Sequence, residues 1–165
     1  MGGLTVVLVG DHVRYRAFHS DMLAAHTLGM RVIAVECEAA QVPDNYVQEL
    51  GSSLERTEDL DRAMRQADVL IMGRNPDEYT GKVRAERRRS RQLAKAYGDW
   101  RVDYSRLQQM PNRSIVLHPR PRRNELDKSV DLDHRAADVR QMANMIPIRM
   151  AILAGTQGRS IRQAK

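Results

Sequence analysis

The stretch Leu4-Thr-Val-Val-Leu-Val-Gly10 decides the fold. Its apolar residues run together instead of alternating with polar ones, which is typical of a strand buried on both faces of a sheet. Three later stretches have the same character: Arg31–Glu36, Asp68–Met72 and Ser114–His118. Helical patterns lie between these strands, so the sequence predicts an α/β fold with a mainly parallel sheet.

Five segments have a helical pattern: Tyr15–Leu28, Pro43–Leu50, a segment capped by Thr57 and running through Ala67, Asp77–Ala96 and Ala136–Leu153. In the first helix, the residues expected to face the core are Phe18, Met22, Leu23 and Ala25. The fourth is polar and only weakly amphipathic, and Trp100–Tyr104 could be a short strand or the start of a helix. Pro147 should bend or split the last helix because proline lacks the N–H that a helix interior needs.

Composition favours one globular domain. The chain has 165 residues, of which 42% are hydrophobic and 29% charged, as in ordinary globular proteins. We expect residues 1–155 to form the domain and residues 156–165 a basic tail.

No apolar run approaches the length of a membrane span, and a single cysteine, Cys37, excludes an internal disulfide framework. With no basic region ahead of the first strand we also expect no signal peptide, and a cytoplasmic location.

Cofactor and metal sites are not predicted. Gly10 is followed by Asp-His-Val-Arg-Tyr, without the further glycines that let a backbone approach a dinucleotide pyrophosphate. His12, His19 and His26 are seven residues apart, but no Cys, His and carboxylate cluster has the spacing of metal ligands. Core or capping roles are the expected ones for these histidines.

Ligands of such sheets bind beyond the carboxyl ends of the strands. The segments to inspect are therefore residues 11–16, 73–76 and 118–122. Each contains an arginine just past a strand: Arg16, Arg74 and Arg122. A guanidinium grips a carboxylate through two parallel hydrogen bonds, so a converging set would suit a dicarboxylate or another small anion. Surface arginine in a basic protein is the alternative interpretation of each one.

A basic run lies between Lys82 and Lys95, in a chain of net charge +6. Its seven basic residues face the single acid Glu86: Lys82, Arg84, Arg87, Arg88, Arg89, Arg91 and Lys95. Such a run could attract nucleic acid or an anionic substrate, or form a solvated helix face or a loop. We expect the solvated helix face or the loop, and do not expect nucleic acid as a partner.

The segments around these arginines resemble one enzyme family, the aspartate/ornithine carbamoyltransferases. Four stretches match its second domain in family order and spacing: Gly10-Asp11 with Arg16 and His19-Ser20, Asp68 to Arg74, Val116 to Arg122 followed by Glu125, and Gln141 to Ala151. The resemblance implies a three-layer Rossmann-like domain that binds the amino acid in carbamoyl transfer from carbamoyl phosphate. Neither a cofactor nor a covalent intermediate takes part in that family.

By the same resemblance, Arg16 and Arg74 would hold the carboxylates of the amino acid. The turn of His118, Pro119 and Pro121 would be catalytic, because its carbonyls orient the reacting groups. Arg120 and Arg122, within this turn, would belong to the substrate-binding set.

The chain also departs from the family pattern. It lacks the Ser-Thr-Arg-Thr loop that grips phosphate, which lies in the family's first domain. Arg120 replaces a leucine, Pro76 a substrate-contacting glutamine, and Met145 a glycine. The arginine-rich stretch Val83 to Lys95 takes the place of a mobile loop that clamps aspartate.

Two functions remain open. The chain could be a half-enzyme that needs a separate chain carrying the carbamoyl-phosphate-binding domain, in a hetero-oligomer based on the family's trimer. It could instead be a non-catalytic structural or regulatory subunit. In either case we expect an exposed apolar patch where the missing domain would pack, near Met142, Met145, Ile146 and Ile148.

Overall fold

The computed structural model describes residues 2–75 and 84–158. Its strands are β1 (Thr5–Val9), β2 (Arg31–Val35), β3 (Leu54–Thr57), β4 (Val69–Met72) and β5 (Ile115–Leu117). Its α-helices are α1 (Arg16–Thr27), α2 (Asp44–Leu50), α3 (Leu60–Met64), α4 (Arg84–Asp99), α5 (Tyr104–Leu107) and α6 (Asp138–Thr156). The predicted alternation of strands and helices is confirmed.

The five described strands form one sheet in the order β3-β2-β1-β4-β5, and every pairing is parallel. The chain starts in the centre at β1 and moves outward through β2 and β3. It then returns to the other side of β1 and continues through β4 to β5. The direction of winding therefore reverses between β1 and β4, and this reversal opens a crevice at the carboxyl ends of those two strands.

The core lies on both faces of the sheet, as the unbroken apolar strands require. Val7 and Val9 of β1 face one layer, which includes α3, the second half of α4, and α5. Val6 and Leu8 face the other layer, where α1 contributes Phe18 and Met22. The central strand is thus completely enclosed, which fixes the position of the loop that follows it.

Several details of the prediction were wrong. β3 was missed, and Thr57 belongs to this strand rather than to a helix cap. Asp59 caps α3 instead, because its side chain accepts a hydrogen bond from the Arg62 N–H. Leu23 is 37% exposed, whereas the other three residues assigned to the inner face of α1 are buried. Helix α6 continues through Pro147 without being split.

The second half of α4 is more apolar on one side than the sequence suggested. Leu93, Ala96 and Tyr97, followed by Trp100, are buried in the core. Trp100–Tyr104 leads into α5, whose first turn is capped by Asp103. Residues 77–83 of the predicted fourth helix lie outside the described residues.

Within the described parts of the chain, none of the helices combines the length and the apolar character that crossing a bilayer requires. Helix α6 runs to Thr156, inside the predicted tail, and residues 159–165 of that tail are not among those described.

Candidate functional site

The three strand ends singled out in the sequence are neighbours in space. β1, β4 and β5 are consecutive in the sheet and point the same way. Adjacent strands lie only about 4.8 Å apart, so the loops that follow them meet along one edge. This edge carries residues 11–16, 73–75 and 118–122, and we call it the carboxyl edge.

Asp11 folds the loop that leads from β1 to Arg16. It is 1% exposed, and its Oδ1 atom accepts hydrogen bonds from the N–H groups of Val13 (3.1 Å) and Arg14 (3.2 Å). The same oxygen is bonded to Arg89 Nη2 of α4 at 3.1 Å. The buried Asp11 carboxylate thus accepts hydrogen bonds from two local N–H groups and from a cationic side chain. These bonds offset much of the free-energy cost of burying its charge.

Arg16 and Arg74 flank the crevice between β1 and β4. Arg16 is the first residue of α1, is exposed, and has no hydrogen-bond or ion-pair partner within the described residues. Arg74 follows β4 and is half-buried. Burial raises the pKa of the Tyr15 phenol, which precedes Arg16; the negative charge of Asp21 adds to that rise and the positive charge of Arg74 opposes it.

The approach of β1, β4 and α1 at this edge depends on glycine. A Cβ atom on Gly73 would lie 2.7 Å from Phe18 Cζ, and one on Gly10 would lie 2.7 Å from the Tyr97 hydroxyl. Gly10 also has φ +150°, a conformation that other residues rarely adopt. The strand ends can therefore pack tightly against Phe18 and Tyr97 only because both positions lack a side chain.

The turn after β5 is organised by a buried pair, His118 and Glu125. The Arg120 N–H donates to His118 Nδ1 at 2.9 Å, so the ring proton resides on Nε2, which donates to Glu125 Oε1 at 2.9 Å. The Arg123 N–H donates to the same carboxylate at 3.0 Å. Burial raises the pKa of Glu125, but these hydrogen bonds outweigh it and hold that pKa below its ordinary value.

Both ring nitrogens of His118 are thus committed to the fold, and the ring is fully buried. What the turn offers at the carboxyl edge is its backbone around Pro119 and Pro121. Arg120 has φ +49°, and the Arg120–Pro121 peptide bond is cis. The catalytic role assigned to His118 and the two prolines stays a prediction, and for His118 the geometry supports positioning rather than proton transfer.

Arg120 and Arg122 are held by carboxylates of their own chain. Arg120 pairs with the buried Asp138 at 2.6 Å, which ties the turn to the start of α6. Arg122 makes a two-point contact with Asp131, including Nη1 to Oδ1 at 2.6 Å. The guanidinium groups of these two arginines are therefore engaged within the fold, and substrate binding by them stays a prediction.

The arginine-rich stretch is not simply a solvated face. Arg87, Arg88 and Arg91 are exposed, as that interpretation expects, but Arg89 is half-buried against Asp11. Lys82 and Pro76 lie outside the described residues.

Sequence reasoning missed the contacts that Arg89 and Tyr97 make at the carboxyl edge; the Tyr97 hydroxyl also reaches this edge. The signal for Tyr97 was the helical spacing from Leu93 to Trp100, obscured by the arginines ahead of it.

The predicted apolar patch on α6 is exposed in the structure. Met142 is 46%, Met145 43%, Ile146 64% and Ile148 57% exposed. The same holds for Val139, Met150, Ile152 and Leu153. Between β5 and α6 lies an open groove of about 430 Å³, lined by Ile115, Leu117 and Ile148 among others.

The chemistry of the carboxyl edge is that of a receptor for an anion. Arg16 and Arg74 follow the two strands that border the crevice, and the proline turn follows the next strand of the sheet. Guanidinium groups recognise carboxylates, whereas carbonyl oxygens accept hydrogen bonds from an amino group. A small amino acid with two carboxylates would satisfy both kinds of group.

Comparison with known proteins agrees with this geometry. Residues 2–156 match the family described as "Aspartate/ornithine carbamoyltransferase, Asp/Orn binding domain". The aspartate carbamoyltransferase catalytic subunit of Salinispora tropica is 33% identical over 163 residues, covering 93% of this chain and 48% of that protein. The corresponding subunit of Archaeoglobus fulgidus is 28% identical, with 93% and 49% covered. The chain thus spans about half the length of these curated relatives.

Solved structures give the same result. Aspartate transcarbamoylase from Trypanosoma cruzi, in complex with aspartate and phosphate, superposes with a TM-score of 0.84 at 32% identity. The match covers 92% of this chain and 50% of that one. The expected three-layer α/β fold of the second domain is confirmed.

Proposed function

The chain belongs to the aspartate/ornithine carbamoyltransferase family as its Asp/Orn-binding domain, and from this premise we propose that it binds the amino-acid acceptor of a carbamoyl transfer. The acceptor is an acidic amino acid such as aspartate. Carbamoyl phosphate is held by a separate polypeptide that supplies the phosphate-binding half. The acceptor's amino group attacks the carbamoyl carbon as a neutral amine, and a C–N bond forms. Phosphate leaves as the C–O bond breaks, and the departing phosphate takes up the N–H proton that the amine loses.

One observation carries this proposal: Arg16 and Arg74 follow the two strands that flank the reversal of winding. A dicarboxylate in that crevice meets one guanidinium from each side and is fixed in orientation. The proline turn after β5 presents carbonyl oxygens to the amino group from the next strand end. Catalysis in this arrangement is positioning, because a correctly held amine needs little further activation to attack the carbamoyl carbon.

The exposed face of α6 supports the need for a partner. A helix with eight exposed large apolar side chains (Val139, Met142, Met145, Ile146, Ile148, Met150, Ile152 and Leu153) cannot be explained by the packing of this domain alone. The relatives contain about as much chain again as the matched part. We therefore assign the α6 face and the adjoining groove to the phosphate-binding half, which would cover them.

The test is reconstitution. The full chain is mixed with a separately produced phosphate-binding half, carbamoyl phosphate and L-aspartate, and N-carbamoyl-aspartate is measured. Arg16→Ala and Arg74→Ala should each lower kcat/KM for aspartate about 100-fold, since each leaves a carboxylate without its cation. Arg113→Ala, at the opposite edge of the sheet and 84% exposed, is the matched control and should change little. Absence of product and of amino-acid binding with any partner would refute the proposal.

A non-catalytic subunit is the second candidate. It is favoured by the pairing of Arg120 and Arg122 with Asp138 and Asp131, which engages two arginines of the predicted substrate-binding set. The same reconstitution separates the two functions. A scaffold would bind the partner without turnover, and neither Arg16→Ala nor Arg74→Ala would alter its effect.

A further inference from the structure

One side chain of α4 connects the two loops that carry the crevice arginines. The Tyr97 hydroxyl accepts a hydrogen bond from the Asp11 N–H at 3.1 Å and donates one to the Arg74 carbonyl at 3.0 Å. Asp11 begins the loop that ends at Arg16. A single oxygen atom therefore bridges the backbone after β1 to the backbone after β4, across the crevice.

The bridging tyrosine is buried and closely packed. Tyr97 is 3% exposed, and its ring packs edge-on against Trp100 at 5.5 Å. Burial raises the pKa of its phenol far above the ordinary value, so the hydroxyl keeps its proton and can always donate. The absence of a Cβ at Gly10 leaves just enough space for this oxygen.

A second connection from α4 acts on the loop after β1. Arg89 Nη2 bonds to Asp11 Oδ1, the atom that also receives the N–H groups of Val13 and Arg14. The carboxylate that shapes the approach to Arg16 is thus held from α4 as well. Both contacts come from the helix that carries the arginine-rich stretch.

We propose that Tyr97 is a positioning residue that sets the distance between Arg16 and Arg74, with Arg89 steadying the Arg16 side. This inference rests on the proposed function, because it concerns how the same site holds a dicarboxylate. Tyr97 does not touch the ligand. It fixes the two backbone segments whose side chains do, so the guanidinium groups meet both carboxylates without first having to be ordered.

The test is a double-mutant cycle on the full chain, with L-aspartate affinity measured by titration. Tyr97→Phe removes only the bridging oxygen and should weaken binding about tenfold, the usual effect of losing a buried hydrogen bond. In the Arg74→Ala background the same change should cost almost nothing, because the group being positioned is gone. Tyr104→Phe, on the 47% exposed tyrosine of α5, is the matched control and should not alter affinity.

Amide hydrogen exchange gives a second readout. In Tyr97→Phe the Asp11 amide should exchange at least about tenfold faster while the core strands stay protected, since its acceptor has been removed. Should Tyr97→Phe fail to fold, Arg89→Lys replaces it, paired with Arg16→Ala. Lysine keeps the positive charge but lacks the planar set of N–H donors of a guanidinium group. It should weaken aspartate binding about threefold in the wild-type background and not in the Arg16→Ala background.

The outcomes separate the inference from its premise. Equal losses of affinity with and without Arg74, or unchanged exchange of the Asp11 amide, would overturn the positioning role while leaving the proposed function intact. If the wild-type chain binds no aspartate, either alone or together with the phosphate-binding half, the proposed function is wrong and the positioning role is wrong with it.

Discussion

His12 shows how deeply the loop after β1 is set into the protein. Its ring is fully buried, and Nε2–H donates to the Val35 carbonyl at 3.0 Å. Burial lowers the pKa of the imidazole from 6.5 to about 4, although the bond to Val35 opposes this. The residue next to Asp11 is therefore a neutral structural group at physiological pH, as the sequence suggested for this histidine.

The lowered pKa predicts how stability depends on pH. Between pH 6.5 and about 4 the unfolded chain protonates His12 while the folded chain does not, so the free energy of unfolding falls as the pH falls through this window. The contribution is fully present above pH 6.5 and amounts to about 3–4 kcal/mol by the linkage relation. His12→Gln, which retains a donor for Val35, should show a shallower decline than wild type in urea unfolding at a series of pH values. Parallel profiles would contradict the assignment.

Residue roles at the site were only partly predictable. The sequence pointed to Arg16 and Arg74 because they follow obvious strands, and their role in binding stays a prediction. It did not point to Arg89 and Tyr97, because their contacts with Asp11 span 78 and 86 positions in the chain and no local pattern encodes such a pairing. Arg120 and Arg122 carried the right chemistry, but their acidic partners, Asp138 and Asp131, could not be assigned without coordinates.

At the scale of elements, the buried strands were the most predictable and the edge strand the least. β1 and β4 are runs of apolar residues, the pattern typical of a strand that is buried on both faces of a sheet. β3, with the sequence Leu-Glu-Arg-Thr, lies at the sheet edge, is partly exposed and carries charges, so it has no apolar run to reveal it. Thr57 was then assigned to a helix cap that Asp59 actually provides.

Helix α6 carries the prediction that belongs to this scale. Ile148→Lys alters a side chain that is 57% exposed and lines the groove, so the free energy of unfolding should change by less than about 0.5 kcal/mol. Binding of the phosphate-binding half, measured by sedimentation, should weaken at least about tenfold, because a charge would have to be buried. Leu28→Lys, at a 49% exposed position after α1, is the control and should leave binding unchanged. Equal effects of the two variants would exclude α6 as the docking face.

On the scale of the whole molecule, topology brings the site together. The order β3-β2-β1-β4-β5 follows from no single segment, yet it alone makes the loops after β1 and β4 neighbours at the reversal of winding. Alternating strands and helices predicted a parallel sheet, and a parallel sheet places all strand ends on one edge. The order of strands within it came only from the structure.

The most direct test of an acidic-amino-acid site at the carboxyl edge is an NMR titration of the full chain with L-aspartate. We expect saturable shifts of the amides in residues 10–16, 73–75 and 118–120, with the aspartate concentration at the midpoint raised about 100-fold in Arg16→Ala and in Arg74→Ala. L-lysine, which has no second carboxylate, should not produce them. Shifts confined to the opposite edge of the sheet, or no saturable shifts either alone or with the phosphate-binding half present, would contradict the assignment.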